Sequence, residues 1–159
     1  MKRVMIWFLL VSFVAGCNGA KVATNATQLR SLRLNFKNCG EKLSFREISI
    51  QVPEGYQLSK EIDTHGFCEY QLSFENDGVL YISSNIYTGS SLNYENRLKA
   101  GIETYSDNRS VNEQIKVKGT QADGRYWMEQ IEGNYTVGYV NVLDTTFFSG
   151  SLQNIKLID

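Results

Sequence analysis

Cys68-Glu69-Tyr70-Gln71-Leu72-Ser73-Phe74-Glu75-Asn76-Asp77-Gly78-Val79 is the stretch on which the fold class turns. Cys68, Tyr70, Leu72 and Phe74 recur at every second position, the period of a strand with one buried face. Asn76-Asp77-Gly78 then offers the backbone freedom of a tight turn, and an apolar-rich run over 79–87 follows. Two such runs about Asp-Gly make a β-hairpin. Towards the N-terminus, Leu32, Leu34 and Phe36 alternate, as do Ile48, Ile50 and Val52, and Pro53-Glu54-Gly55 closes that run with turn chemistry. Leu43 and Phe45 are out of phase with Ile48, which places a bulge or short break near Arg46-Glu47. Towards the C-terminus, strand character returns at Ile115 and Val117, over 125–131 and over 135–143. Ala122-Asp123-Gly124 and Gly133-Asn134 separate these, giving a second meander of three strands.

Between the two strand groups the period changes. Ser91 is placed to cap a helix with Tyr94, Leu98, Ile102 and Tyr105 as its apolar stripe, and Gly101 permits close packing on a sheet. Asp144 or Thr145 caps a short closing helix with Phe148, Leu152 and Ile155 facing inward. Strands, helix, strands and helix predict a single α+β domain over 31–159. Its expected form is one curved antiparallel sheet of about six or seven strands with two helices packed on it.

The N-terminus carries an address. Lys2 and Arg3 precede an apolar run over 4–14, and Val14-Ala15-Gly16-Cys17 ends it. A positive start, a short apolar segment and small residues before a cysteine make a bacterial lipoprotein signal over 1–16, with Cys17 as the lipidated residue. At eleven residues the apolar run is too short to span a bilayer, which takes about 20. Cleavage before Cys17 leaves 143 of the 159 residues and moves the formal charge from −1 to −3, because Lys2 and Arg3 are lost. Residues 17–30 form the lipidated cysteine and a small, polar tether. By resemblance to enterobacterial lipoprotein sorting, Asn18 rather than Asp after the cysteine implies the outer membrane, periplasmic face. Cys39 and Cys68 are then an even pair in an oxidising compartment, and a disulfide between them is expected. A mildly acidic chain without Lys/Arg clusters gives no footprint for nucleic acid.

Two further stretches carry a family resemblance. Phe45…Ile48-Ser49-Ile50-Gln51-Val52-Pro53-Glu54-Gly55-Tyr56 resembles the opening of PsbP/Mog1-like domains, in which an apolar strand ends in Pro-x-Gly-aromatic. Gly119…Gly124-Arg125-Tyr126-Trp127 through Gly138-Tyr139-Val140, and Phe148…Ser151-Leu152-Gln153-Asn154-Ile155-Lys156, are similar to that family's second half. The similarity covers most of 43–157 and consists of fold-forming patterns. It implies a PsbP/Mog1-like fold and a non-enzymatic role of the kind that family fills, as assembly factor, regulator or binding lipoprotein.

Catalytic chemistry finds little support in the residues. His65 is the only histidine, and a lone imidazole needs a nucleophile and an orienting carboxylate to act as a base. Zinc needs three or four convergent ligands, which one histidine and a paired set of cysteines do not supply. No metal and no cofactor are expected. Glu129 and Glu132 have no special spacing and read as surface charge. Gly119 to Gly124 lacks the Lys-Ser/Thr of a phosphate loop, and Asn76-Asp77-Gly78 lacks the oxygens of an EF-hand.

What remains is surface. Tyr81, Tyr87, Tyr126, Trp127, Tyr135 and Tyr139 lie on adjacent expected strands, and alternation sends Tyr126 and Trp127 to opposite faces. Two readings stand for them: binding anchors, or ordinary cross-strand packing. The segment Lys60-Glu61-Ile62-Asp63-Thr64-His65-Gly66, with Asp63 and His65 in it and pinned by the expected bridge at Cys68, is a second candidate contact or an ordinary covered connection. The expected partner is a protein. The chain resembles, in size, lipid anchor and PsbP/Mog1-like pattern, lipoproteins that protect bacteria from secreted cell-wall-degrading effectors. The sharpest version this resemblance implies is an immunity or inhibitor lipoprotein that sterically blocks such an effector. The alternative is a ligand-binding or envelope-assembly lipoprotein with a pocket between sheet and helix.

Overall fold

The computed structural model describes residues 28–40, 43–75, 78–102 and 114–159. The signal segment, Cys17, the tether up to residue 27, the Asn76-Asp77 turn pair and Tyr105 lie outside them. Among the described residues the strands are β1 (Leu29–Asn35), β2 (Glu47–Pro53), β3 (Tyr56–Ile62), β4 (Cys68–Phe74), β5 (Gly78–Ser83), β6 (Ile115–Thr120), β7 (Tyr126–Glu132), β8 (Tyr135–Val142) and β9 (Lys156–Ile158). The helices are short: a 3-10 turn at Ser91–Asn93 running into α1 (Tyr94–Lys99), and α2 (Ser149–Gln153).

The strands form two antiparallel sheets rather than the single curved sheet expected. A three-stranded sheet has the order β1-β2-β9, and a six-stranded sheet has the order β3-β4-β5-β8-β7-β6. The chain changes sheets at Pro53-Glu54-Gly55, where Gly55 stands at φ +86°. That conformation is open to glycine and costly for other residues. The 76–78 hairpin expectation holds in its register, with Phe74 opposite Gly78. Both meanders are present, and β5 pairs β8 to join them edge to edge.

Leu34, Ile48, Ile50 and Val52 from the small sheet meet Tyr70, Leu72, Leu80, Ile82, Val137 and Tyr139 from one face of the large sheet. Each fully buried Ile or Leu there contributes roughly 1.5–3 kcal/mol relative to exposure. Phe36 packs edge-on against both Phe45 and Tyr70, and Phe148 packs against Phe74 and Tyr139. The disulfide joins Cys39, just after β1, to Cys68 at the start of β4, so it ties one sheet to the other. Tyr70 OH donates to Asn35 O at 2.6 Å along the same seam.

Several elements depart from the sequence expectation for identifiable reasons. β1 takes in Leu29 and Arg30, which had been assigned to the tether. β3 occupies a stretch read partly as loop, because an edge strand exposed on both faces has no alternation to detect. β9 is three residues long and pairs with β2, too short to carry a period. Leu43 and Phe45 lie outside any strand: Phe36 N–H donates to Arg46 O, and Arg46 N–H to Ile158 O. Asp144 closes the turn ahead of α2 by accepting from Thr146 instead of capping the helix.

The middle helix is shorter and turned over. It is capped by Ser90, whose hydroxyl accepts from Leu92 N–H, and Gly101 at φ +78° follows its last turn. Tyr94 and Leu98, expected to face inward, are exposed, while Asn93, Asn96 and Arg97 are buried. A polar face therefore covers the second side of the large sheet.

Candidate functional site

That polar face is matched by the strands beneath it. Tyr81 on β5, Gly138 on β8 and Glu129 on β7 stand in one cross-strand row. Gly138 has no side chain, so the Tyr81 phenol lies across β8; a Cβ on Gly138 would sit 2.3 Å from the Tyr81 hydroxyl oxygen. Tyr81 OH reaches Glu129 Oε2 at 2.5 Å, and Ser90 N–H donates to the same oxygen at 2.9 Å. Arg97 Nη1 pairs with Glu129 Oε1 at 2.6 Å and also donates to Ser90 O. Gly89, at φ +66°, lets the backbone pass this pair: a Cβ there would fall 2.2 Å from Glu129 Oε1.

Asn93 completes the arrangement. Its amide donates to Tyr81 OH at 2.7 Å and to the carbonyls of Met128 and Tyr139. Those carbonyls lie beside a bulge in which Val140 and Asn141 together oppose Trp127, with Asn141 at φ 62°. A bulge interrupts the ladder, and Asn93 supplies donors there. Burial, with Glu129 next to it, pushes the Tyr81 hydroxyl well above the usual phenol range, so it stays protonated. The network is fully internal and holds the 88–97 segment at a fixed height over the sheet.

Between that segment and the β3–β4 edge lies a cleft of about 400 Å³. Glu61, Asp63 and Glu69 line it together with Ile62, Phe67 and Tyr94, and Arg97 forms part of its floor. Glu61 and Glu69 are direct cross-strand partners, a like-charge arrangement that opposes strand pairing. Asp63 is fixed by accepting from His65 N–H and Phe67 N–H through Oδ1. Glu69 Oε1 accepts from Gln71 and from Ser90 Oγ. The nearest lysine on β3, Lys60, turns away: its Nζ lies 3.5 Å from Asn35 O and 5.1 Å from the Tyr70 ring centre. Arg97 is engaged with Glu129, so the cleft is a negative hollow with apolar walls.

Burial raises the Glu69 carboxyl above the usual carboxylate range; hydrogen bonds from Gln71 and Ser90 oppose that shift, and Glu129 and Glu61 add to it. The folded state thus holds this proton more tightly than the unfolded chain does. Its contribution to stability is greatest below the ordinary value of 4.5 and is lost as pH rises through the folded value. Glu69→Gln is expected to raise the thermal midpoint at about pH 8 and to leave it unchanged near about pH 4. Melting curves at the two pH values check this, and a lower midpoint at the higher pH would contradict it.

Of the residues singled out from the sequence, Asp63 lines the cleft, and the Tyr87 ring lies 6.0 Å from that of Phe67, which also lines it. His65 is exposed in the adjoining turn. Tyr126 is distant from this group. It borders a separate hollow with Lys118 and Thr145, into which Trp127 and Tyr139 also reach. Tyr81, Trp127 and Tyr139 are buried. Tyr81 is held under α1, Trp127 lies over Gly119, and Tyr139 packs on Phe148. Glu129, read as surface charge, is completely buried.

Glu69 and Arg97 escape the sequence reading, which takes Glu61 as part of a loop. A glutamate between alternating core residues gives no sign that its neighbour across the strand is another glutamate. Among the described residues, no three His, Cys, Asp or Glu side chains converge to hold a metal ion, and no helix is long and apolar enough to cross a membrane. Comparison with protein-family models, curated proteins and solved structures finds no match to this chain.

Proposed function

We propose that this is a non-enzymatic, lipid-anchored protein that binds another protein through the acidic cleft, facing the periplasm from the outer membrane. The specific form is an immunity or inhibitor lipoprotein of PsbP/Mog1-like architecture that sterically blocks a secreted cell-wall-degrading effector. The observation that supports the protein-binding part is the cleft: three carboxylates around apolar walls, with Arg97 in its lining paired to Glu129 and Lys60 directed to Asn35. Carboxylates too dispersed to hold a metal ion suit the larger ammonium or guanidinium group of a partner's lysine or arginine. Val14-Ala15-Gly16-Cys17 supports the anchor, which raises local concentration where a toxin arrives.

The test is to read the neighbouring genes for a secreted toxin and to express that toxin in the periplasm with and without this protein; neighbours that encode none reject the immunity role. A stable complex and survival of the cells are expected, and Glu61→Lys combined with Glu69→Lys is expected to abolish both. A toxin that neither binds nor is neutralised rejects the immunity role.

A second reading has one specific observation in its favour. Two adjoining hollows share Lys118, Tyr139 and Thr145, and α2 borders one of them through Ser149 and Leu152. That is a pocket between sheet and helix, as a ligand-binding or envelope-assembly accessory would have. Mass spectrometry of gently purified protein separates the readings, since a co-purifying small molecule favours the second.

A further inference from the structure

We infer that β3 is a docking edge: an extended segment of the protein partner adds to the six-stranded sheet beside β3 and places a lysine or arginine in the acidic cleft. The inference rests on the protein-binding role of that cleft and names how the partner is held.

Among the described residues, β3 ends the large sheet and pairs on one side only, with β4. The phase of its hydrogen bonds follows from one contact, Asp63 N–H to Phe67 O at 3.0 Å. In an antiparallel ladder, bonded and non-bonded pairs alternate. The pairs Glu61–Glu69, Ser59–Gln71 and Gln57–Ser73 therefore exchange bonds with β4. The peptide N–H and C=O groups of Leu58, Lys60 and Ile62 point to the open edge.

Edges of this kind are normally blunted by bulges, proline or outward lysines. Here seven consecutive pairs run from Tyr56–Phe74 to Ile62–Cys68 without a register shift. No proline interrupts β3, and its one lysine folds back onto Asn35 and Tyr70. Leu58 and Ile62 are 45% and 61% exposed. By strand alternation they share one face and Glu61 takes the other, and Glu61 and Ile62 both border the cleft at the end of the strand.

These two faces specify the occupant. A strand added beside β3 directs alternate side chains to each face, and a residue opposite Glu61 comes within about 4.5–5.5 Å of it between Cβ atoms. A basic residue there extends the row Glu61–Glu69 and relieves its like-charge repulsion. The alternate residues lie beside Leu58 and Ile62 and are apolar. A second copy of this chain would instead bring its own Glu61 and acidic cleft to the junction, where like charges oppose pairing. The complementary partner is a basic–apolar alternating segment.

The experiment titrates the full chain with a capped peptide of alternating lysine and valine, and with one of alternating glutamate and valine, followed by backbone amide resonances. The lysine peptide is expected to shift the amides of Leu58, Lys60 and Ile62, and the glutamate peptide to leave them unmoved. Glu61→Lys is expected to weaken binding at least about tenfold through charge, and Leu58→Pro at least about tenfold by removing an edge N–H that β4 does not use. The lysine peptide N-methylated on its valines, or on its lysines, tests the edge without altering the protein; one of the two is expected to lose binding to a similar extent. Binding that falls with Glu61→Lys but survives Leu58→Pro and both N-methylations overturns strand addition and leaves the cleft as a side-chain receptor. Equal binding of both peptides, or none by the lysine peptide, overturns the inference, as does concentration-dependent dimerisation through β3.

Discussion

Arg97→Ala is expected to lower the free energy of unfolding by about 3–5 kcal/mol, the cost of leaving a buried charge without its partner. Arg97 and Glu129 are buried together, 2.6 Å apart, with Tyr81 OH and Ser90 N–H also directed at the carboxylate. Removing the guanidinium leaves Glu129 in a site shaped for an ion pair and takes away the donors to Ser90 O and Thr88 O. Urea denaturation at neutral pH measures the loss. Replacing both residues by methionine is expected to cost less than Arg97→Ala, because a buried ion pair is often no more stabilising than an apolar pair of similar volume. A loss below about 1 kcal/mol for Arg97→Ala would mean that water reaches the pair.

The second large effect concerns the covalent tie between the sheets. Cys39→Ala with Cys68→Ala is expected to destabilise the protein by about 2–5 kcal/mol. The cysteines are 29 residues apart, and closing a loop of that size in the unfolded chain corresponds to roughly 3–4 kcal/mol on the chain-entropy account. Both thiols are buried, so alanine also leaves unfilled space. Equilibrium unfolding of the wild type with and without reductant, beside the double variant, checks this. Reduced wild type as stable as the oxidised form would show that packing alone joins the sheets.

How far the sequence discloses this structure depends on whether a residue's role is local. Cys68, Tyr70, Leu72 and Phe74 have one buried face and one polar face, so period two is visible and their strand is identified. Gly133-Asn134 and Ala122-Asp123-Gly124 mark turns by backbone chemistry, and the C-terminal meander follows. β3 has no buried face, so its residues resemble those of a loop.

The α1 face failed for the opposite reason. Tyr94 and Leu98 form an apolar stripe at helical spacing, yet the helix turns Asn93 and Arg97 inward, because the sheet beneath presents Glu129 and a bulge with carbonyls to satisfy. Only the register of β5, β8 and β7 brings Tyr81, Gly138 and Glu129 into line, and register between distant strands is not a local property. The cleft was half legible. Asp63 and Tyr87 could be singled out as polar and aromatic surface, whereas the facing of Glu61 and Glu69 emerges only after β3 is recognised as a strand.

The junction of β5 with β8 has a kinetic consequence. Each three-strand meander of the large sheet closes through neighbouring segments, but Tyr81 and Gly138 must meet although they stand 57 positions apart in the numbering. Long-range contacts form at a greater entropic cost than local ones. The two halves are therefore expected to gain structure before the seam zips, with the phenol–carboxylate–guanidinium lock engaging last as the fastening that makes the unions of two small sheets into one.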